Sequence, residues 1–346
     1  MNWNALKTWM KCAAVVAMIP TAAAAQDVTL TIHHFLPATG DAHVRMIQPW
    51  ADKVAKESDG RIAFEIFPSM SMGGKATDLY TQARDGVADV VWTALGYTPG
   101  VFPRSEVFEL PLVHRGSAEA TSVALNKSFD LLEEDFRNLK IIFLHAHDGN
   151  LIHSATRPVR SFEDVKGLKL RTPSRTGAWL LEEWGAEPVG MPVPDLPQAM
   201  SKGVVDGALT TYEIVPVINL QEMDKFVSDM PGGRRFGTTV FMMAMNQDRY
   251  DSLPDDLKAI IDANSGVEAG RTYGAAWEDM ENRGIEALDA AGAERIELSE
   301  DEAARFDEAA QVVVDRWIEE MKGKGIDGAA LVSAAQASVN AAMPQN

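Results

Sequence analysis

Arg171 closes a short run in which Leu168 and Leu170 alternate with Lys169 and Arg171. That period of two is the pattern of a half-buried strand. Thr172 and Pro173 end the run, because proline cannot donate to a ladder. An arginine at this point is either a solvated edge charge or a cation held at the mouth of a sheet and aimed at an anion. Other reactive or binding side chains also sit just past apolar runs. Phe35 ends the first such run. Tyr97 and Phe102 lie in the loop Leu95 to Pro103, and Thr210-Thr211-Tyr212-Glu213 follow the run after Asp206. In parallel α/β sheets, ligands bind beyond the carboxyl ends of strands. One arginine, several aromatic rings and a few hydroxyls converging there would form a small-molecule site.

Catalytic patterns come up short. No Gly-x-Ser-x-Gly elbow and no P-loop is present, and Met72-Gly73-Gly74 lacks the spacing of a dinucleotide turn. Glu182 and Glu183, like Asp255 and Asp256, are adjacent and therefore point to different helix faces. His33 and His34 are neighbours on a strand and face opposite ways. His145 and His147 share a face and Asp148 follows. The sequence places no third metal ligand beside them, so they read as ordinary strand positions. No catalytic residue, metal or cofactor is expected.

The elements that carry these residues alternate. Strands are expected at 28–35, 62–67 and 89–93, with helices through 44–57 and 75–84 and a left-handed glycine cap at Gly86. This is the α/β pattern of a mostly parallel sheet. Asp78-Leu79, Gln82-Ala83 and Gly86-Val87-Ala88-Asp89 are echoed by Asp195-Leu196, Gln198-Ala199 and Gly203-Val204-Val205-Asp206. If the echo is a true repeat, the two copies belong to two lobes of similar design. From Ser252, read as an N-cap, few breakers interrupt the chain to Ala291. A continuous helix there would run about 55 Å. A strand is expected at 295–298, a helix capped by Ser299 and Glu302 through Met321, and a last helix at 329–343.

The chain has 346 residues, a net charge of −18 and one cysteine, Cys12. Lys7 and Lys11 precede a short apolar core, Cys12 to Ile19, and then Thr21-Ala22-Ala23-Ala24-Ala25. That is the form of an export signal cleaved after Ala25, and the run is too short to span a bilayer. The mature chain then has no thiol chemistry. About 320 remaining residues suggest two domains. The acidity argues against nucleic acid and anionic membranes as partners, so an anionic ligand needs local cations.

The chain resembles the periplasmic solute-binding proteins of tripartite ATP-independent periplasmic (TRAP) transporters, of the dicarboxylate-binding type. The resemblance runs through Phe67-Pro68-Ser69 with Met72-Gly73-Gly74, Gly96 to Gly100 with Phe102-Pro103, and Glu109-Leu110-Pro111. It continues through Arg157-Pro158, Asp164 to Pro173 and Gln198 to Gly207. It implies an α/β, two-lobed periplasmic binding protein fold with a long C-terminal helix spanning both lobes. Implied boundaries are a signal peptide at 1–25, lobe I at 26–148 and 238–275, lobe II at 149–237 and 276–305, and C-terminal helices at 306–346. It implies a monomeric receptor, not an enzyme, that hands a small carboxylate to the small and large subunits of a membrane permease driven by an ion gradient. Arg171 would pair with the carboxylate; a planar fork on a strand end is a rigid mount for two oxygens.

The sequence also departs from the sialic-acid-binding branch. A second arginine of that branch is replaced here by Leu151, preceded by Asn150, while Phe35 and Thr210 stand where that branch has asparagines. The implied ligand site is Arg171, Phe35, Tyr97, Asn150, Thr210, Tyr212, Glu213 and Phe236, with the aromatic members as walls. An apolar or aromatic monocarboxylate is expected ahead of a C4-dicarboxylate or a sugar acid. An exported enzyme on a similar scaffold and an ABC-type binding lobe pair, which a long C-terminal helix packed along both lobes would set apart, are the remaining alternatives.

Overall fold

The computed structural model describes residues 27–344. The expected export signal and its cleavage point lie outside them. Eleven strands among the described residues form two sheets. Strands β1 (Val28–His34), β2 (Ile62–Phe67), β3 (Val90–Ala94) and β4 (Leu139–Ala146) share a five-stranded sheet with β10 (Val240–Asn246), in the order β2-β1-β3-β10-β4. Strands β5 (Leu151–Ser154), β6 (Lys169–Thr172), β7 (Glu187–Gly190), β8 (Gly207–Thr210) and β9 (Phe226–Asp229) form the other with β11 (Glu294–Glu297). Its order is β11-β9-β5-β8-β6-β7. The pairs β1–β2, β1–β3, β6–β7 and β6–β8 are parallel, and β10 runs antiparallel to both of its neighbours. Every residue of β3 and of β10 is buried. Their mostly apolar runs, broken only by Thr93 and by Asn246 at the end of β10, fit strands covered on both faces.

The internal echo has a structural counterpart. Val87 N–H donates to the Gln82 carbonyl, and Val204 N–H to the Ala199 carbonyl, closing two helix ends ahead of β3 and β8. The two aspartates that follow do the same work. Asp89 Oδ2 accepts from Thr31 N–H of β1 at 2.8 Å, and Asp206 Oδ2 accepts from Lys169 N–H of β6 at 2.9 Å. Each ties its strand to the parallel neighbour, one copy in each sheet.

Two strand crossings join the sheets. Residues 147–150 lead from β4 to β5, and residues 230–239 return from β9 to β10. They pair directly, with Asn150 N–H to the Gly237 carbonyl at 2.8 Å and Phe236 N–H to the Asn150 carbonyl at 3.0 Å.

The expected continuous helix is not continuous. Helices span Gln247–Asp251, Asp255–Ala263 and Gly266–Ala291. Ser252 ends the first of these and does not cap the second. The break falls at an extended Ser265 and at Gly266, whose φ of +73° a helix cannot continue, and Trp50 Nε1 donates to the freed Asn264 carbonyl at 2.9 Å. The Gly266–Ala291 helix packs on β4 and the Ala118–Lys127 helix, and also on the Ile214–Val217 turn beside the second sheet. It therefore touches both halves. At Gly284 it comes so near the second half that a Cβ would sit 1.8 Å from the Tyr212 carbonyl oxygen. The Glu300–Gly323 helix, N-capped by Ser299 as expected, packs on the Arg175–Glu183 helix. The last helix, Gly328–Ala342, returns to the first half against Ala118–Lys127.

Candidate functional site

Between the carboxyl ends of β1, β3, β6 and β8 lies a narrow cavity walled by residues of both sheets. Arg171 lies in its wall. Lys169 and Arg171 leave the same face of β6, yet Lys169 is exposed and Arg171 is 2 % exposed. The first half of the molecule covers one and not the other. Arg171 is anchored through its own backbone neighbourhood: Nε donates to the Met191 carbonyl at 2.9 Å and Nη1 to the Leu209 carbonyl at 3.2 Å. Burial pulls its pKa down and the neighbouring Tyr97 hydroxyl pulls it back up. A guanidinium stays charged in proteins. Among the described residues no carboxylate lies within ion-pair distance of it. It is a fixed, buried cation without an ion-pair partner, Asp195 acting on it only from a distance, an arrangement costly unless something negative arrives.

The remaining polar lining is likewise underused. Asn150 Oδ1 is buried and has no hydrogen-bond partner. His147 Nδ1 accepts from Gly149 N–H at 3.0 Å, which places the ring proton on Nε2. Burial holds His147 well below the usual imidazole range, so it is a neutral donor. Thr210 and Thr239 add hydroxyls to the wall. Buried polar groups in native proteins normally have partners. Several unfilled donors and acceptors around one space therefore point to a polar ligand.

The opposite wall is aromatic. Phe35 stacks on Trp92, with centroids 4.8 Å apart and planes 19° from parallel. Trp92 stacks on Phe241 at 5.2 Å and 7°, and Phe35 meets Tyr97 at 5.3 Å. Trp92 Nε1 donates to His145 Nε2 at 2.8 Å, so its N–H is satisfied and its face remains apolar. His145 is thereby a core residue. Among the described residues no group of three or more His, Cys, Asp or Glu is arranged to hold a metal ion. Trp277 comes from the long helix.

Two contacts close the space from the side. The Tyr97 hydroxyl accepts from Val193 N–H at 2.9 Å. Gly96 lies against the segment after β6, where a Cβ would stand 2.8 Å from the Pro173 carbonyl oxygen.

Arg171, Phe35, Tyr97, Asn150, Thr210 and Glu213 all line the cavity. Tyr212 and Phe236, expected as pocket walls, do not line it. Tyr212 follows Thr211 and turns to the other side, where it meets His153 edge-on at 6.2 Å. Phe236 is drawn into a cluster with Trp184 and Phe306, at 5.1 and 5.2 Å. Trp92, His147, Phe241 and Trp277 line the cavity without having been singled out for it. Nothing local in the sequence marks Trp277.

The sequence pattern described as bacterial extracellular solute-binding protein, family 7, matches residues 33–320. A TRAP solute-binding protein from a marine metagenome, specific for aromatic acid ligands and solved with 3-hydroxybenzoate, is 38% identical. The match covers 92% of this chain and 100% of that one, with a TM-score of 0.90. A TRAP solute-binding protein from Rhodoferax ferrireducens, solved with copurified benzoate, is 39% identical over 91% of this chain and 98% of that one, with a TM-score of 0.89. A solute-binding protein of Albidiferax ferrireducens is 27% identical over 84% of this chain and 81% of its own length. A buried guanidinium at a strand end, facing stacked aromatic rings between two α/β halves, is thus set in a chain that belongs to family 7 of the bacterial extracellular solute-binding proteins, the receptors of TRAP transport.

Proposed function

We propose that this receptor captures an aromatic monocarboxylate, with the carboxylate on Arg171 and the ring against Phe35, Trp92, Tyr97 and Phe241. The observation that carries the reading is Arg171 itself, buried without a carboxylate partner and facing an apolar, ring-lined space. Two solved relatives at 38% and 39% identity hold benzoate-type acids, which supports the same choice. A dicarboxylate would bring a second charge for which the lining offers no second guanidinium. The closing units we infer are residues 26–148 with 238–275 and residues 149–237 with 276–305, hinged at the paired crossings. The filled receptor, a monomer in the periplasm after loss of residues 1–25, delivers its solute to a TRAP permease and performs no chemistry on it.

A thermal-shift panel tests the ligand. Benzoate and hydroxybenzoates should raise the melting temperature with the logarithm of ligand excess over Kd. Succinate, malate and uronic acids should leave it nearly unchanged. A larger shift with malate than with any aromatic acid would sink the reading.

A further inference from the structure

The cavity contains a second ionisable group whose presence an anion site does not call for. Glu213 lines the same space as Arg171 and is buried. Among the described residues it has no ion-pair partner. Its oxygens accept from neutral donors, the Thr211 hydroxyl and Trp277 Nε1, the latter at 3.2 Å. The groups facing it can be counted. Its own segment offers Thr211 and the Ile214 backbone. The long helix offers Trp277 and the carboxylate of Glu281, which Arg235 engages at 3.2 Å. The first sheet offers Trp92 and Phe241, the crossing after β4 offers neutral His147, and the far wall offers Arg171 and Tyr97. Arg171 is the one guanidinium among the lining residues.

An arriving carboxylate therefore makes two negative groups for one cation in a space closed from water. When two carboxylates share such a site, one of them is driven to hold a proton. Burial already pushes Glu213 up to about 7, with Glu281 adding to the effect while Thr211 and Trp277 oppose it. In the neutral form its O–H can turn to the Thr211 oxygen, since a hydroxyl both donates and accepts.

We propose that Glu213 sets the charge of the accepted solute by standing in the filled cavity as a neutral carboxylic acid, so that a monoanion captured above neutral pH arrives together with one proton. The proton comes from solvent and rests on a Glu213 oxygen. Arg171 and the solute carboxylate then form a pair of zero net charge, and a dianion leaves an uncompensated charge behind. This inference rests on the monocarboxylate reading above.

Calorimetric titration of the full protein with benzoate, in buffers of different ionisation enthalpy, reads the proton directly. At about pH 8.5 the heat should scale with buffer ionisation, at more than half a proton per benzoate, and at about pH 6 it should scale hardly at all. Apparent affinity should weaken by up to about tenfold per pH unit above neutrality. Glu213→Gln, permanently neutral, should bind benzoate more tightly than wild type at about pH 8.5, with no proton uptake. An infrared difference spectrum of wild type should gain a carboxylic acid C=O band on binding, a readout that needs no variant. Tight wild-type binding without proton uptake at about pH 8.5 overturns the proposal, as does uptake that persists in Glu213→Gln. Absence of benzoate binding at both pH values overturns the aromatic monocarboxylate reading and takes the proposal with it.

Discussion

Phe35 and Arg171 both stand at the carboxyl end of a strand, one from each sheet, and both are buried against the same cavity. What lies behind them differs. Phe35 is backed by Trp92 and, through it, by Phe241 and Trp277, a stack continuous with the hydrophobic core. Arg171 is backed by two carbonyls and faces a wall with unfilled hydrogen-bonding capacity at Asn150. The aromatic wall thus contributes to folding whether or not a ligand is present. The polar wall holds desolvated groups that fold at a cost and are satisfied only by the ligand. Changes on the two walls should therefore move stability in opposite directions.

The sharpest test removes the cation. Losing one partner of a buried charge pair costs about 3–5 kcal/mol, on the order of a hundredfold or more in affinity. Arg171→Ala should abolish calorimetrically detectable benzoate binding. Arg171→Met should do the same while keeping or raising the melting temperature of the empty protein, because it deletes an unpaired buried charge. Arg171→Lys should also bind poorly, since an ammonium lacks the planar fork. A folded Arg171→Ala protein with near-wild-type affinity would erase the distinction between the walls.

Trp92→Ala probes the other side. Removing a fully buried indole costs about 3–5 kcal/mol of stability. Denaturant midpoints should fall accordingly, and benzoate affinity should fall with them. If stability held while binding was lost, the aromatic wall would be a ligand surface alone and the contrast would fail.

A smaller effect is expected with pH. Burial pushes Glu109 and Asp148 up to about 8. A raised folded-state pKa gives stability that is complete below the unfolded carboxyl range, about 4, and is lost as pH rises through about 8. Burial lowers His34 and His145 to about 3 and His114 to about 4. Their contribution is present above about 6.5 and lost as pH falls through those values. Between about pH 6.5 and about 8 only the acids act, so unfolding free energy should decline there. Glu109→Gln should flatten that decline without altering proton uptake on benzoate binding, which separates a core acid from one in the cavity.

The smallest effects bracket the site. Tyr97→Phe leaves Val193 N–H without its acceptor, at about 1–3 kcal/mol, and should weaken binding by loosening the closed form. Arg157, exposed and bonded to the Lys166 carbonyl at 2.5 Å, lies outside the cavity lining. Arg157→Ala should change affinity by no more than about twofold, a surface-scale effect.

Much of this contrast was legible from local pattern. Alternation placed β6 and its terminal arginine, and the two glycine-capped junctions placed β3 and β8 in corresponding positions. Their aspartates, Asp89 and Asp206, proved to tie neighbouring strands, a role the spacing alone does not announce. What local pattern missed depends on distant partners. Trp50, 214 positions from Asn264, takes the carbonyl left free at the helix break before Gly266. Tyr212 and Phe236 look like pocket aromatics, but the Gly284 approach and the Trp184–Phe306 cluster decide their surroundings. Trp277 reaches the cavity only because the long helix crosses both halves.

Trp92 and Trp277 line the cavity, whereas Trp50 and Trp317 are buried without lining it. The receptor therefore carries its own optical gauge. A solute ring laid beside the two lining indoles should alter their emission through stacking and energy transfer, while the remaining tryptophans supply a steady background. Occupancy can then be followed in real time without a label, and Trp277→Phe would show which of the two indoles gives the signal.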